Sequence, residues 1–558
     1  MENTPSLKSA LKKLFQLINL EKREIQNLYV YAILSGIIIL SLPLGIQAII
    51  NLLFGVTIST SLVVLITLVI FGVLLSGILQ VKQMRITERI QQRVFARLTF
   101  AYAYRIPKLS LPSIDNYYLP ELVNRFFDTA SLQKGLSKLL IDFPAASIQI
   151  FFGLLLLSFY HPVFIVFGVF LVAIVLAIFY LTSPKGFESS IKESDFKYDV
   201  AHWLEEISRS IKTFKFHQHT DLHLKKTDQL VNGYLEARNN HFSVLVFQYR
   251  IIIAFKVLIT AAMLIIGAVL FVNQQINLGQ FIATEIIILT IIAAIEKLIV
   301  SLEVVYDVLT SLEKINKVLD KPQDKDFHSD NSFKLNQNGI SIKMMNLNFG
   351  FSTGKMILKN LEMAIEAGEK VCIKGLEGSG KSTLLKVLTG MWQNFDGTIL
   401  FNGVPFANIP PDLLHQQIAV FTDEDELFSG TLLENITLGE PEVNFEELNK
   451  ICDLLGLMDF IFSKKESFYM PLDPQGKKLS YNIAQKVLLA RCLYKKPKLI
   501  LLEDGWMGIE PNTKNEIIKY LLRAESGFTL IAISNDDDFA SNFDKVMVMN
   551  NGYLTQIN

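Results

Sequence analysis

Cysteine is scarce. There are three in 558 residues (Cys372, Cys452 and Cys492), all in the C-terminal third. They show no metal-ligand spacing and make no disulfide frame, so they read as reduced cytosolic thiols in or near a core. Charge is also thin, at 19% of residues against 50% hydrophobic, and mean hydropathy is +0.34. Such a chain is too apolar for a wholly soluble enzyme and too long for one domain. A charge excess of either sign is missing too. The balance of −1 gives no electrostatic footprint for nucleic acid, and no nucleic-acid partner is expected. Nor is a cleavable signal peptide expected, because polar and basic residues precede a long apolar span.

What the chain does have is long apolar runs. Six of them, at 28–53, 60–81, 138–160, 162–183, 250–272 and 279–300, each approach the roughly 20 residues that cross hydrocarbon. They fall into three pairs with short links, separated by two long polar connections, 82–137 and 184–249. The short links carry no Lys or Arg, whereas the long connections carry Lys82, Arg85, Arg89, Arg93, Lys185, Lys192 and Lys197 among others. That bias predicts the long connections and both chain ends on the cytoplasmic side. Ahead of the first span, Leu7, Leu11, Phe15 and Ile18 recur at helical spacing beside Lys8, Lys12 and Lys13. The pattern predicts an amphipathic helix at the inner membrane surface in contact with membrane lipid, with a plain soluble helix as the alternative.

The long connections are helix-compatible. The membrane helices are expected to run on into the cytoplasm and turn back through short transverse helices near 112–125 and 208–217, since structureless loops of that length are uncommon. In the sixth span Glu285, Glu296 and Glu303 lie 11 and 18 residues apart along the chain from Glu285, which brings them to one helical face. A carboxylate at membrane depth is costly and usually meets a polar cavity or a partner. Glu285 is therefore a candidate for lining a substrate pathway, against the alternatives of a buried structural pair or a protonated carboxyl. Glu296, beside Lys297, reads as a solvated end.

The stretch Asp320–Asn331, with Pro322 and mixed charge, breaks the helical pattern and marks a boundary. Beyond it strands and helices alternate around Gly375-Leu-Glu-Gly-Ser-Gly-Lys-Ser-Thr383, a fit to G-x-x-x-x-G-K-[ST]. Gly375, Gly378 and Gly380 let the backbone bend so that amides, with those of Ser379 and Thr383, point at phosphate oxygens. Lys381 supplies a point charge for the β- and γ-phosphates, and the Ser382 hydroxyl an oxygen ligand for Mg²⁺. Val371–Lys374 reads as the strand entering this loop and Leu384–Leu388 as the helix leaving it, whose N-terminal end favours anions. The expected fold is a membrane all-α six-helix transmembrane domain followed by an α/β P-loop nucleotide-binding domain. Its parts are 1–27 (amphipathic helix), 28–320 (six-span domain), 321–332 (linker) and 333–558 (nucleotide-binding domain).

With the phosphate loop, Leu427-Phe-Ser-Gly-Thr431, Leu479-Ser480, Ala490-Arg491 and Pro497–Leu502 in this order, the chain resembles an ATP-binding cassette exporter half-transporter over nearly its whole length. Only about 27 residues precede the first span, so the N-terminal peptidase domain of peptide-processing relatives is expected to be absent. The connections and basic start are similar to the type I protein-secretion branch. The resemblance implies ATP and Mg²⁺ as ligands and a bacterial cytoplasmic (inner) membrane location with the nucleotide domain in the cytoplasm. It also implies pairing with a second half-transporter and, in the secretion branch, a periplasmic adaptor protein.

Carried over residue by residue, the nucleotide-holding positions survive and the hydrolytic ones depart. Phe351 stands where the family stacks an aromatic on adenine, and stacking needs only a π face; a core Phe is the alternative. The family's γ-phosphate-sensing Gln aligns with Asp423, in an acidic run that reads equally as a solvated loop. The signature appears as Leu479-Ser-Tyr-Asn-Ile483. It keeps Ser480 for the opposing subunit's γ-phosphate but replaces two glycines by Tyr481 and Asn482, whose bulk loosens backbone approach. Strand Leu499–Leu502 ends in Glu503 and Asp504 where the family has Asp for Mg²⁺ and then Glu as general base. Register counted from Leu479 excludes a slip. Asp504 is one methylene short, about 1.5 Å from the expected reach, and general-base gains of roughly 10²–10⁴-fold depend on that reach. The family's His aligns with Asn535, which hydrogen-bonds but carries no proton, and Glu510 replaces the Asp of the dimer-contact loop.

These changes share one direction and imply a domain that binds ATP and hydrolyses it slowly. Each site in the family is composed of one subunit's loop and the other's signature. The departures compromise both sites in either pairing, which leaves a homodimer preferred over a heterodimer. The reading is an ATP-dependent membrane export half-transporter coupling ATP binding to alternating access, with protein or peptide secretion as the branch's substrate class. The alternative is a non-hydrolysing ATP-binding regulator or scaffold of a partner transporter.

Overall fold

Apolar runs of this length satisfy their own backbone only as helices when water is excluded. In the computed structural model, which describes residues 6–53, 60–115, 117–324, 339–351, 354–422, 426–503, 509–523 and 527–557, the first half is helical throughout. A short α1 (Leu7–Asn19) precedes six long helices: α2 (Lys22–Leu53), α3 (Thr60–Arg105), α4 (Asp128–Tyr160), α5 (Val163–Arg209), α6 (Leu222–Val272) and α7 (Leu278–Leu319). All six are long and apolar enough to cross a membrane. At 47 and 51 residues, α5 and α6 outrun any hydrocarbon layer, so the polar connections are continuations of the spans. Short helices at Leu119–Asn124 and Ile211–Phe216 turn the chain back, within the stretches expected to hold the tips. Asn277 starts α7 with a capping box, its side chain accepting from the Gln280 amide at 2.8 Å while Gln280 returns the bond at 2.8 Å.

The first helix differs from its sequence pattern. Ser6 caps it, but Ala10, Leu14 and Leu17 are the buried positions, and Phe15 is 65% exposed. The apolar stripe 7-11-15-18 therefore lies along the lip of the contact, because the bundle takes the neighbouring stripe of smaller and aliphatic residues. The helix is held by Lys13, which pairs with Glu313 and Asp320 at 3.1 Å each. Glu296 also departs from expectation. It accepts an ion pair from Lys256 of α6 at 2.7 Å instead of ending in solvent, and its neighbour Lys297 pairs with Asp142 at 2.7 Å.

Contacts divide the chain into two units, Met1–Leu109 with Ser113–Pro322, and Ser110–Pro112 with Gln323–Asn558. Of the linker expected at 321–332, only 321–324 fall within the described residues. The second unit has an antiparallel sheet of β1 (Ile342–Gly350), β2 (Met356–Ile365), β4 (Asp396–Phe401) and β5 (Val404–Pro405), in the order β2-β1-β4-β5. A six-stranded sheet is formed by β3 (Lys370–Lys374), β6 (Ile418–Phe421), β7 (Leu499–Glu503), β8 (Thr529–Ile533), β9 (Lys545–Asn550) and β10 (Tyr553–Ile557), in the order β10-β9-β3-β8-β7-β6. All of its pairings are parallel except β9 with β10. Covered on both faces, such strands read as unbroken apolar runs. Leu499–Leu502 and Leu530–Ala532 are fully buried. The three cysteines are buried as well, and burial pushes the Cys452 thiol up to about 12.

Candidate nucleotide site

Strand register builds the site. Ile533 of β8 pairs with Ile373 of β3 on one side and with Glu503 of β7 on the other. The segments after those three strands consequently open on one edge of the parallel sheet, the carboxyl edge at which ligands bind in such folds. After β3 comes the glycine loop and then α8 (Lys381–Leu388), which is capped by Gly380 at φ 109°. Its first turn leaves amides with no intrahelical acceptor.

Gly375 is the position where only glycine fits. A Cβ there would lie 2.3 Å from the Met549 carbonyl oxygen, and φ is +152°. Its amide donates to Asn535 Oδ1 at 3.0 Å. Lys381 folds over the loop, with Nζ donating to the Gly375 and Leu376 carbonyls at 2.8 Å each. Burial is the main influence on this ammonium and lowers its pKa from the ordinary lysine value, while Glu503 and Glu377 act to raise it. Ser382 donates a short hydrogen bond to Glu503. One edge thus brings together a cation, the first-turn amides of α8, a hydroxyl and a carboxylate. That donor set fits a polyphosphate, and the Ser382–Glu503 oxygens fit a hard divalent cation beside it.

The sequence-derived residues separate into groups. Gly375, Ser379, Gly380, Lys381, Ser382, Glu503 and Asn535 converge; Gly378 sits in the same loop at φ +74°, and Thr383 lies in the first turn of α8. Phe351 is half-buried at the end of an aromatic cluster, its ring edge-on to Trp392 at 4.8 Å and to Phe349 at 5.2 Å. Trp392 had no motif to announce it. Ser480 belongs to a second cluster, where it caps α9 (Tyr481–Tyr494) by accepting from the Ile483 amide at 3.3 Å. Asp423 and Asp504 lie outside the described residues.

The second cluster joins Asn482 and Glu510 to Lys486, a residue that motif reading missed. Asn482 donates to Glu510 at 2.7 Å, and Glu510 also takes an ion pair from Lys486 at 2.8 Å. Lys486 is buried while Glu510 is largely exposed. Asn482 and Lys486 are four residues apart on α9, and that spacing was the available signal. Two departures from the family pattern, at 482 and 510, are therefore one hydrogen-bonded unit. In the membrane unit Glu285 is half-buried, whereas Glu303 lines a polar cavity of about 510 Å³ with Lys134, Lys138, Glu193, Arg238 and Asp307.

Comparison with known proteins agrees with this geometry. The family model described as ABC transporter matches residues 358–505, and that of the ABC transporter transmembrane region matches residues 27–295. The chain is 30% identical over 286 residues to the alpha-hemolysin translocation ATP-binding protein HlyB of Escherichia coli O157:H7, covering 51% of this chain and 40% of that protein. It is 28% identical over 267 residues to heavy metal tolerance factor 1 of Caenorhabditis elegans, covering 48% and 32%. Against the ATP-dependent lipid A-core flippase of Saccharophagus degradans it is 26% identical over 223 residues, covering 40% and 38%. The aligned part thus spans two-fifths or less of these relatives' length. Among solved structures, a bacterial Atm1-family ABC exporter with ATP bound shares the fold, with TM-score 0.83, 18% identity and coverage of 96% and 94%. With a matching membrane region, a matching nucleotide unit and a loop built for ATP, this multi-pass membrane protein belongs to the ATP-binding cassette transporter family.

Proposed function

We propose that the chain is a half-transporter that exports its substrate across the bacterial cytoplasmic membrane, with its nucleotide unit in the cytoplasm. It works as a dimer, a homodimer in preference to a heterodimer. The observation that carries this reading is the convergence of Lys381, Ser382, Glu503 and Asn535 on one edge of the sheet. ATP is held by Lys381 and the loop amides, and Phe351 offers its ring to adenine. Ser382 and Glu503 would hold Mg²⁺, which would supply positive charge to the phosphates. Ser480 serves the site of the second half-transporter. ATP bound more tightly in the closed dimer shifts the population toward it, which gives alternating access. Glu285 lines the substrate path. Likeness to a protein named for alpha-hemolysin translocation favours a polypeptide substrate, and the resemblance to the type I secretion branch implies a periplasmic adaptor.

Hydrolysis is slow, because Asp504 is a shorter general base than the family's Glu, Asn535 cannot carry a proton, and Asp423 replaces the family's γ-phosphate-sensing Gln by an anion. The test is ATP binding and turnover by the full-length protein in lipid, for the wild type and for Asp504→Glu with Asn535→His. Binding at millimolar Mg-ATP with a rate gain of about 10²-fold in the double variant supports a detuned transporter. Binding with no gain favours the regulator or scaffold reading, for which the tied Asn482–Glu510 pair speaks. No binding removes both. Within the transport reading, Glu285→Gln is expected to lower transport into proteoliposomes while nucleotide affinity stays within twofold.

A further inference from the structure

The displaced stripe of α1 leaves an apolar groove of about 610 Å³. Its walls include Leu11 and Phe15 of α1, Phe143 of α4, and Leu302, Val305 and Leu309 of α7. A void of this kind forfeits the contacts of its lining, and water has too few polar partners there to fill it. Hydrocarbon is the filling that the lining accepts.

Charge lies on α1 beside this lining. Lys8 and Lys12 are exposed, one helical turn apart, and Phe15 follows Lys12 by three residues, on the same side of α1. Neither lysine pairs with any described residue. Lys13, by contrast, is committed to Glu313 and Asp320. An apolar slot flanked on α1 by two ammonium groups with no partner among the described residues complements a molecule with an aliphatic chain and an anionic head.

We propose that this groove holds an acyl chain of one anionic phospholipid, whose phosphate is taken by Lys8 and Lys12. The lipid completes the packing of α1, and a choline head is disfavoured because its cation faces the same two lysines. Basic pockets beside membrane helices select lipids by this combination of chain burial and head charge. The inference rests on α1 and the membrane unit alone, so it stands or falls separately from the transport reading.

The test is native mass spectrometry of the full-length protein released from bilayers of phosphatidylglycerol or of phosphatidylcholine. One phosphatidylglycerol per chain is expected to survive release, with no phosphatidylcholine counterpart. Lys8→Ala with Lys12→Ala should weaken retention about 30-fold, and Lys8→Arg with Lys12→Arg should restore it. Val305→Trp, which fills the slot, should expel the lipid with both lysines intact. Equal retention of phosphatidylcholine, unchanged retention in the alanine pair, or displacement of the lipid by millimolar inorganic phosphate would each overturn the proposal.

Discussion

At Glu510, one side chain answers two neighbours. Its carboxyl is held down at about 2, chiefly by the Lys486 ammonium, then by its own backbone amide and by Asn482. A carboxylate depressed below the ordinary value of about 4.3 adds stability at neutral pH, and that contribution is lost as pH falls through the interval toward 2. Glu510→Gln should therefore flatten this part of the acid-unfolding curve of the intact protein. Glu510→Ala should cost on the order of 1 kcal/mol, because it strands a buried lysine from a partner that is itself partly solvent-screened. Of the site itself, the loop, Ser382, Glu503 and Asn535 were legible because a strand run fixes where each follows the sheet. The Glu510 network was not, since its meaning depends on a contact between residues 28 positions apart. Trp392 was hidden for the same reason. It is an ordinary apolar residue until Phe351 and Phe349 surround it.

Helices were legible from hydropathy, but their faces were not. Where α5 meets α7, a Cβ on Gly186 would stand 2.4 Å from the Tyr306 ring. Tyr306 is fully buried and its hydroxyl accepts from Gln248 at 2.8 Å, while the same amide group serves Thr182 at 2.8 Å. The ring is thus fixed on both sides and has nowhere to retreat. Gly186→Val is expected to lower the melting temperature of the purified protein, at an overpacking cost of about 1–3 kcal/mol. A Cβ on Gly77 would meet nothing within 4 Å, so Gly77→Ala should leave it unchanged. Period alone gave the helix of α1 but not which of its stripes the bundle buries deepest. Two adjacent stripes share its apolar character, and the choice between them belongs to the bundle, where Ala10 permits a closer approach than Phe15 would.

For the molecule as a whole, charge asymmetry between connections predicts sidedness, and labelling tests it cleanly. The native thiols are buried, so background reaction is low. In intact cells Gln275→Cys should react with an impermeant maleimide added outside, whereas Lys215→Cys should react only after permeabilisation. The reverse pattern would invert the topology. One small feature reaches across this scale. Lys13 grips Glu313, nearly two turns before the end of α7, and also Asp320, the residue just past it. The peripheral helix at the chain's start is thereby moored to the foot of the final span. A displacement of α1 is therefore passed to that foot through two ion pairs and not through apolar contact alone.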